Sequence, residues 1–243
     1  MPEPTGACEP ASGRALPWHV VLAVLAAVSV ALVAVSYVTL VLMTHRFFQV
    51  GGGGHAYLNV GVEANVPTWW SVTMLTVGAT LMLLLAWLLH GERRGGAWVC
   101  VAIGVLLLGF SLDELASLHE HLHRVGGLLV SAQTLPYVWL AVGVPLALGI
   151  VVVVVLLARR IPRAVRPLLL AGLATFFAGA VGMELVGSQL VATAGEHSTA
   201  VVAAYHLEEG LEMVGAALMA VAPLRALRVD RSTPGTVLIV AAR

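Results

Sequence analysis

A chain of 243 residues in which 59% are hydrophobic and only 11% are charged is too apolar for an ordinary soluble domain, where about a quarter of the residues are charged. The formal net charge is zero and all 13 basic residues are arginine. This composition excludes a basic field that attracts nucleic acid and any chemistry that depends on a lysine. The two cysteines, Cys8 and Cys100, form no CxxC or other cysteine-rich metal motif, so a bound metal would need histidine and carboxylate ligands.

Long apolar runs predict an all-α fold, a polytopic membrane bundle of about six transmembrane helices. A membrane-spanning helix needs about 20 mostly apolar residues. Six segments meet this length and together form a transmembrane domain over residues 17–228: 17–43, 67–89, 97–124, 134–158, 167–194 and 198–224. The composition of residues 1–16 predicts a disordered N-terminal tail, and residues 229–243 are left as a C-terminal tail.

The arginines predict the orientation of the bundle, because positively charged loops stay in the cytoplasm. Most arginines fall on the side of the bundle that holds both termini: Arg14, Arg93, Arg94, Arg159, Arg160, Arg163, Arg166, Arg225, Arg228 and Arg231. The opposite side carries only Arg46 and Arg124. We therefore expect a multi-pass protein of the cell membrane (the inner or plasma membrane) with both termini in the cytoplasm.

The first outer connection, residues 44–66, is long and contains four consecutive glycines at 51–54 together with Glu63 and Asn65. Such a segment can act as a mobile lid over a site, or it can simply connect two helices through solvent. The connector is the simpler interpretation, and the sequence leaves both open.

Ionisable residues inside the predicted helices are the main functional signal. Seven of the 13 acids lie there, accompanied by four histidines: Asp113, Glu114, Glu120, Glu184, Glu208, Glu209, Glu212, His119, His121, His123 and His206. A charged group at membrane depth costs roughly 2.5–3.5 kcal/mol on insertion scales, so such residues are retained mainly where they serve a site.

Helix geometry brings three of these groups to a similar depth. At about 1.5 Å per residue, Asp113 lies roughly 24 Å from the cytoplasmic start of the third predicted helix, and Glu184 lies at a similar depth on the fifth. Glu209 lies in the outer half of the sixth predicted helix, which runs in the opposite direction. Polar groups on three helices at one depth can meet in one site.

A metal site is the leading interpretation of these residues. We expect the ligands to come from Asp113, Glu114, Glu184, His206, Glu209 and Glu212, with Glu120 and His119 moving protons. Carboxylates with a few imidazoles suit a divalent Fe, Mn or Zn ion, and acids on facing helices hold such ions in carboxylate-bridged bundles. A metal-free path for protons or substrate, and a polar network that only holds helices together, stay open as alternatives.

Two motifs support the grouping of these residues. The run from Asp113 to Glu120 has the pattern DExxxxHE, and the run from Glu208 to Met213 has the pattern EExxEM. Together they resemble a pattern in multi-spanning bacterial membrane proteins for which no activity is established. The resemblance implies that Asp113, Glu114, His119, Glu120, Glu209 and Glu212 belong together, and it implies no reaction.

The functional expectation is a buried carboxylate and histidine site in the outer half of the bilayer. The leading hypothesis is a metal-dependent hydrolase or oxidoreductase that acts on a lipid-soluble substrate, with membrane lipid as its surroundings and no nucleic-acid partner. The alternatives are a proton-coupled transporter or permease that uses the same acids, and an accessory membrane subunit. The residues alone do not decide whether the chain is an enzyme.

Overall fold

The structure, a computed structural model, describes residues 13–230 and 237–240. The described helices and strands, in chain order, are β1 (Arg14–Ala15), α1 (Trp18–Tyr37), α2 (Gly53–Leu58), α3 (Val66–Gly91), α4 (Ala97–Ala116), α5 (His123–Leu129), α6 (Leu140–Ala158), α7 (Arg166–Phe177), α8 (Glu184–Ala194), α9 (Thr199–Val221), β2 (Leu227–Asp230) and β3 (Val237–Val240). Two π-helical turns, Val38–Leu42 and Ala178–Met183, extend α1 and join α7 to α8.

The prediction of an all-α membrane bundle is confirmed. Within the described ranges, five helical segments are long and apolar enough to cross a membrane, one fewer than predicted: Trp18–Leu42, Val66–Gly91, Ala97–Ala116, Leu140–Ala158 and Arg166–Ala194. The sixth predicted segment forms α9, which has 23 residues but carries three acids, Glu208, Glu209 and Glu212. Its content of acids, not its length, separates α9 from the other five.

A small antiparallel sheet connects the two ends of the described chain. β1 pairs with β2, so that Arg14 lies opposite Val229, and β2 pairs with β3. The chain therefore enters and leaves the helical bundle on the same side. Residues 14 and 15, predicted as the end of a disordered tail, form a strand here, and residues 1–12 lie outside the described residues.

The acid-bearing helix α9 lies at the centre of the bundle and packs against α1, α3, α7 and α8. Close packing with α7 depends on glycine: a Cβ atom added at Gly215 would lie 2.5 Å from the backbone nitrogen of Phe176 and 2.8 Å from the carbonyl oxygen of Gly172. Small residues allow this approach in membrane bundles, where close van der Waals contact replaces the hydrophobic driving force between helices. The interface fixes the depth of the α9 acids.

The helix predicted over 97–124 is wrong in its second part. It ends at Ala116, and Ser117 adopts a left-handed conformation with φ of 48°. A 3-10 turn, Glu120–Leu122, and the short helix α5 follow. The Asp113 carboxylate accepts a hydrogen bond from the backbone N–H of His119 at 2.8 Å, which satisfies a group that a continuous helix would have paired internally. The predicted continuous helix 167–194 contains the π-helical turn just before Glu184.

Candidate metal centre in an acid-lined cavity

One cavity of about 720 Å³ collects most of the acids in the protein. Glu3 and Glu9 lie outside the described residues, and of the eleven remaining acids only Glu92 and Asp230 do not line this cavity. The nine acids that line it are Glu63, Asp113, Glu114, Glu120, Glu184, Glu196, Glu208, Glu209 and Glu212. His119 and His197 also line it, and none of the described arginines does. The cavity wall therefore carries many carboxyl groups and, among the described residues, no arginine to pair with them.

Three parts of the chain supply seven of these nine acids. The C-terminal end of α4 and the turn after it provide Asp113, Glu114 and Glu120, and the start of α8 provides Glu184. The middle of α9 provides the acids of the EExxEM motif. Acids expected on three separate helices thus line one common space.

The break after α4 brings His119 back to Asp113. One carboxylate oxygen of Asp113 accepts the His119 backbone N–H, and the other lies 3.1 Å from Nδ1 of the His119 ring. Burial lowers the pKa of His119, but the hydrogen bond and charge of Asp113 more than offset this effect and raise the pKa to about 9. The ring also packs against Trp139, with 4.9 Å between ring centroids. Nε2 is left as the ring nitrogen that Asp113 does not engage.

Three side chains around this histidine could hold a metal ion. Each offers one ligand atom, and these atoms lie within 4.8 Å of one another: the residues are Glu63, His119 and Glu120. Metal bonds to carboxylate oxygen and imidazole nitrogen are about 2.0–2.2 Å long, so atoms with this spacing can surround one ion after small side-chain adjustments. Burial and then the nearby Glu120 carboxylate raise the pKa of Glu63, because both disfavour an additional negative charge.

Glu63 was missing from the ligands expected from sequence, because it lies in the connection between α1 and α3. A network of hydrogen bonds fixes this connection: the Asn65 side-chain amide donates to the carbonyl oxygens of Asn59 and Val62, both at 2.6 Å. The backbone N–H of Val60 donates to Ser36 on α1 at 3.0 Å. These contacts give Glu63 a defined place beside the cavity.

His206 does not join the acids, contrary to the sequence-based expectation. Its Nε2 lies 3.0 Å from the hydroxyl oxygen of Ser36, and its Nδ1 lies 2.7 Å from the carbonyl oxygen of Val202. The ring is buried against Tyr37 and Tyr205 and does not line the cavity. It lies at the edge of the α9 acidic stripe and turns toward α1, where it ties α9 to the same Ser36 that holds the Glu63 connection.

The deeper acids form a second group within the cavity. Glu114 on α4 and Glu212 on α9 are joined by a side-chain hydrogen bond, and a bond between two carboxyl groups requires a shared proton. Gly179 in the π-helical turn makes room for this pair, since an added Cβ would lie 2.8 Å from Cγ of Glu212. Among residues 13–230 and 237–240, the deeper acids form no group of three with ligand atoms within 4.8 Å of one another.

Glu184 lies between these two groups. The indole N–H of Trp139 faces its carboxyl group, whereas its Oε2 is buried without a hydrogen-bond partner. Buried polar atoms are normally paired, so an unpaired carboxylate oxygen that lines a cavity is a candidate for contact with a ligand, water or ion.

A family model matches residues 20–227, which is most of the chain. The chain belongs to the family described as Domain of unknown function (DUF8692). No curated protein and no solved structure matches the chain.

The matched region of DUF8692 includes the whole candidate site. It begins within α1 and ends at Leu227, so it covers Glu63, the α4 motif, Glu184 and the α9 motif. The family description carries no reaction, and the chemistry must therefore be argued from the cavity itself.

Proposed function

We propose that this protein is a metal-dependent membrane enzyme that hydrolyses a lipid-soluble substrate in the acid-lined cavity. The observation that carries the proposal is that nine acids line one cavity to which no described arginine contributes. Such a collection of carboxyl groups in a membrane protein needs protons or a cation to compensate its charge. A divalent ion supplies that compensation and a catalytic function together.

The proposed metal ligands are Glu63, Nε2 of His119, and Glu120. Asp113 then acts as a positioning residue: it holds Nδ1 of His119 and so directs Nε2 to the metal, as carboxylates behind metal-bound histidines commonly do. Two carboxylates and one imidazole suit Zn, Mn or Fe. Three protein ligands leave a coordination position open, which is typical of catalytic sites and not of structural ones.

Hydrolysis fits this arrangement better than di-iron oxidation. A di-iron site requires a second set of ligands close to the first, and the described residues provide one group of three possible ligands, two glutamates and a histidine. A bound divalent ion would polarise a carbonyl group and make a water molecule more acidic. Glu184, which lines the cavity and whose Oε2 is buried without a hydrogen-bond partner, is the proposed acceptor for the proton of that water.

The cavity also fits a substrate that enters from the lipid. Its deeper wall is apolar and includes Leu106 on α4, together with Leu146 and Ile150 on α6. The cavity lies at the end of the bundle away from the arginine-rich connections, and by the positive-inside rule we propose that this end is in the outer half of the bilayer. We propose the bacterial plasma membrane as the location, with both termini in the cytoplasm.

Metal analysis of the purified protein tests the proposal. We expect about one equivalent of Zn, Mn or Fe per chain, and its loss in the double variant Glu63→Gln plus Glu120→Gln, which keeps the size of both side chains. The control is Glu92→Gln, an acid outside the cavity. Less than a tenth of an equivalent after metal addition, or equal retention by the double variant and the control, would overturn the metal-enzyme proposal.

Proton-coupled transport is the second candidate function, favoured by the hydrogen-bonded carboxyl pair of Glu114 and Glu212. Such a pair can exchange a proton with a passing substrate. Reconstituted liposomes that carry a pH gradient would distinguish the two functions. Transport predicts proton movement that depends on the protein and stops in Glu212→Gln, whereas the enzyme proposal predicts no such movement.

A further inference from the structure

A second, apolar cavity of about 410 Å³ lies between α4 and α6. It shares three of its lining residues, Leu106, Leu146 and Ile150, with the acid-lined cavity. The two cavities therefore adjoin along these residues: acids line the first, and only apolar residues line the second. Its remaining lining residues are Ala102, Ile103, Pro145, Gly149, Val153, Val154 and Leu157.

Together the two adjoining cavities extend along α4 for about the length of a lipid chain. From Asp113 to Ala102 along α4 the distance is roughly 16 Å at 1.5 Å per residue. That is about half of the ~30 Å hydrocarbon core, or one leaflet. Gly109 on α4 and Gly149 on α6 line this space, and an added Cβ at either position would meet no atom within 4 Å. The protein leaves open volume at both glycines.

The acid-lined end favours a cationic headgroup. Beyond the three proposed metal ligands, Glu114, Glu208, Glu209 and Glu212 remain on the cavity wall without a described arginine to pair with them. Aromatic rings lie beside these acids: Phe110, Phe176, Phe177 and Tyr205 line the same cavity. Carboxylates combined with aromatic faces are a recurring way to bind amines. A carboxylate or phosphate headgroup would instead meet repulsion from these acids.

We propose that the substrate is an amphiphile with a cationic amino headgroup and one long alkyl chain. The amino group of the substrate contacts the α9 acids, and its alkyl chain lies between α4 and α6. This inference rests on the proposed function, since it names the substrate class of the same site. In this proposal Gly109 and Gly149 lack side chains that would fill the space occupied by the alkyl chain of the substrate.

Binding of labelled hexadecylamine to the full-length protein in lipid nanodiscs tests the inference, with empty nanodiscs subtracted. Hexadecanol and hexadecanoate have the same chain and serve as headgroup controls. We expect the amine to bind at least tenfold more tightly than either, and Glu209→Gln to reduce that preference. Gly149→Leu should weaken amine binding at least tenfold, because its side chain fills the groove. Val152→Leu, which adds bulk on the exposed side of α6, should leave binding unchanged.

The outcomes separate the two proposals. Equal binding of amine and alcohol, or wild-type binding by Gly149→Leu, would overturn the inference, even if the protein retains its metal. If the wild-type protein binds no metal but still binds the amine selectively, the metal-enzyme proposal is overturned and the inference about the substrate stands. Metal content of Gly149→Leu should equal that of the wild type, which also shows that this variant folds.

Discussion

The two ends of the bundle treat their charges differently. At the end that holds the sheet, arginines are paired locally: Arg166 donates to the carbonyl oxygens of Arg159 and Ile161, Arg228 donates to that of Gly13, and Arg225 stacks on Trp18. At the other end, nine acids face a cavity. The first arrangement stabilises helix connections and strands, whereas the second leaves charge available for a ligand. The two ends therefore differ less in how many charged residues they carry than in whether those residues contact neighbouring protein groups. Charged residues with such contacts stabilise the fold, and those without them mark the candidate site.

The largest effect that this comparison predicts is loss of metal in His119→Ala. Removing the imidazole takes away the proposed nitrogen ligand and should lower the affinity for Zn more than 100-fold, beyond the roughly 10–100-fold cost of losing an outer partner. Competition with a chelator of known affinity measures it. The matched control is His121→Ala, an exposed histidine whose Nδ1 faces the carbonyl oxygen of Ser117 and which does not line the cavity. Equal affinities in the two variants would contradict the assignment.

Asp113→Asn sharpens the distinction between a ligand and a positioning residue. The amide can still accept the backbone N–H of His119 but no longer supplies the charge that supports its ring. We expect the affinity for Zn to fall roughly 10–100-fold, less than in His119→Ala. The same chelator competition measures it. A fall as large as that of His119→Ala would show that Asp113 binds the metal directly, and an unchanged affinity would remove it from the site.

Gly215→Ala tests whether the acid end depends on the central packing of α9. The new methyl group would meet the α7 backbone near Phe176, so we expect a loss of at least about 1 kcal/mol in the free energy of unfolding. Gly210→Ala on the same helix has 3.6 Å to its nearest neighbour, Val33, and is the control. Thermal unfolding in detergent compares the two variants. A lower Tm for Gly210→Ala than for Gly215→Ala would contradict the packing described here.

The smallest expected effect lies at the arginine end. Arg225→Gln removes a cation that lies 4.9 Å from the centre of the Trp18 ring, and both residues are half-buried. Interactions of this kind contribute about 0.5–1 kcal/mol at exposed sites and somewhat more where water is excluded. Tm should fall slightly, and metal content should not change. A loss of metal in this variant would contradict the separation of the two ends, because it would show that the arginine end affects metal binding at the other end.

The membrane helices could be predicted from sequence because a long apolar run specifies such a helix by itself, without contacts to distant residues. The meeting of Glu114, Glu184 and Glu209 could also be anticipated, since helical rise and alternating direction set their depth. The contribution of Glu63 could not, because a loop residue has no periodicity that fixes its position. His206 was misplaced for a related reason: at the edge of a helical stripe, the neighbouring helix decides which way a side chain points.

The amino-acid sequence alone determined that this chain is a bundle of membrane helices and that many of its acids lie within or beside those helices. Both conclusions follow from the free energy of transferring side chains from water to hydrocarbon, which depends on composition and local order. Only the tertiary structure decided which acids share a cavity, that α4 ends at Ala116, and that Asp113 holds His119. These depend on contacts between residues from different segments, and a helical pattern does not encode how those segments pack against each other.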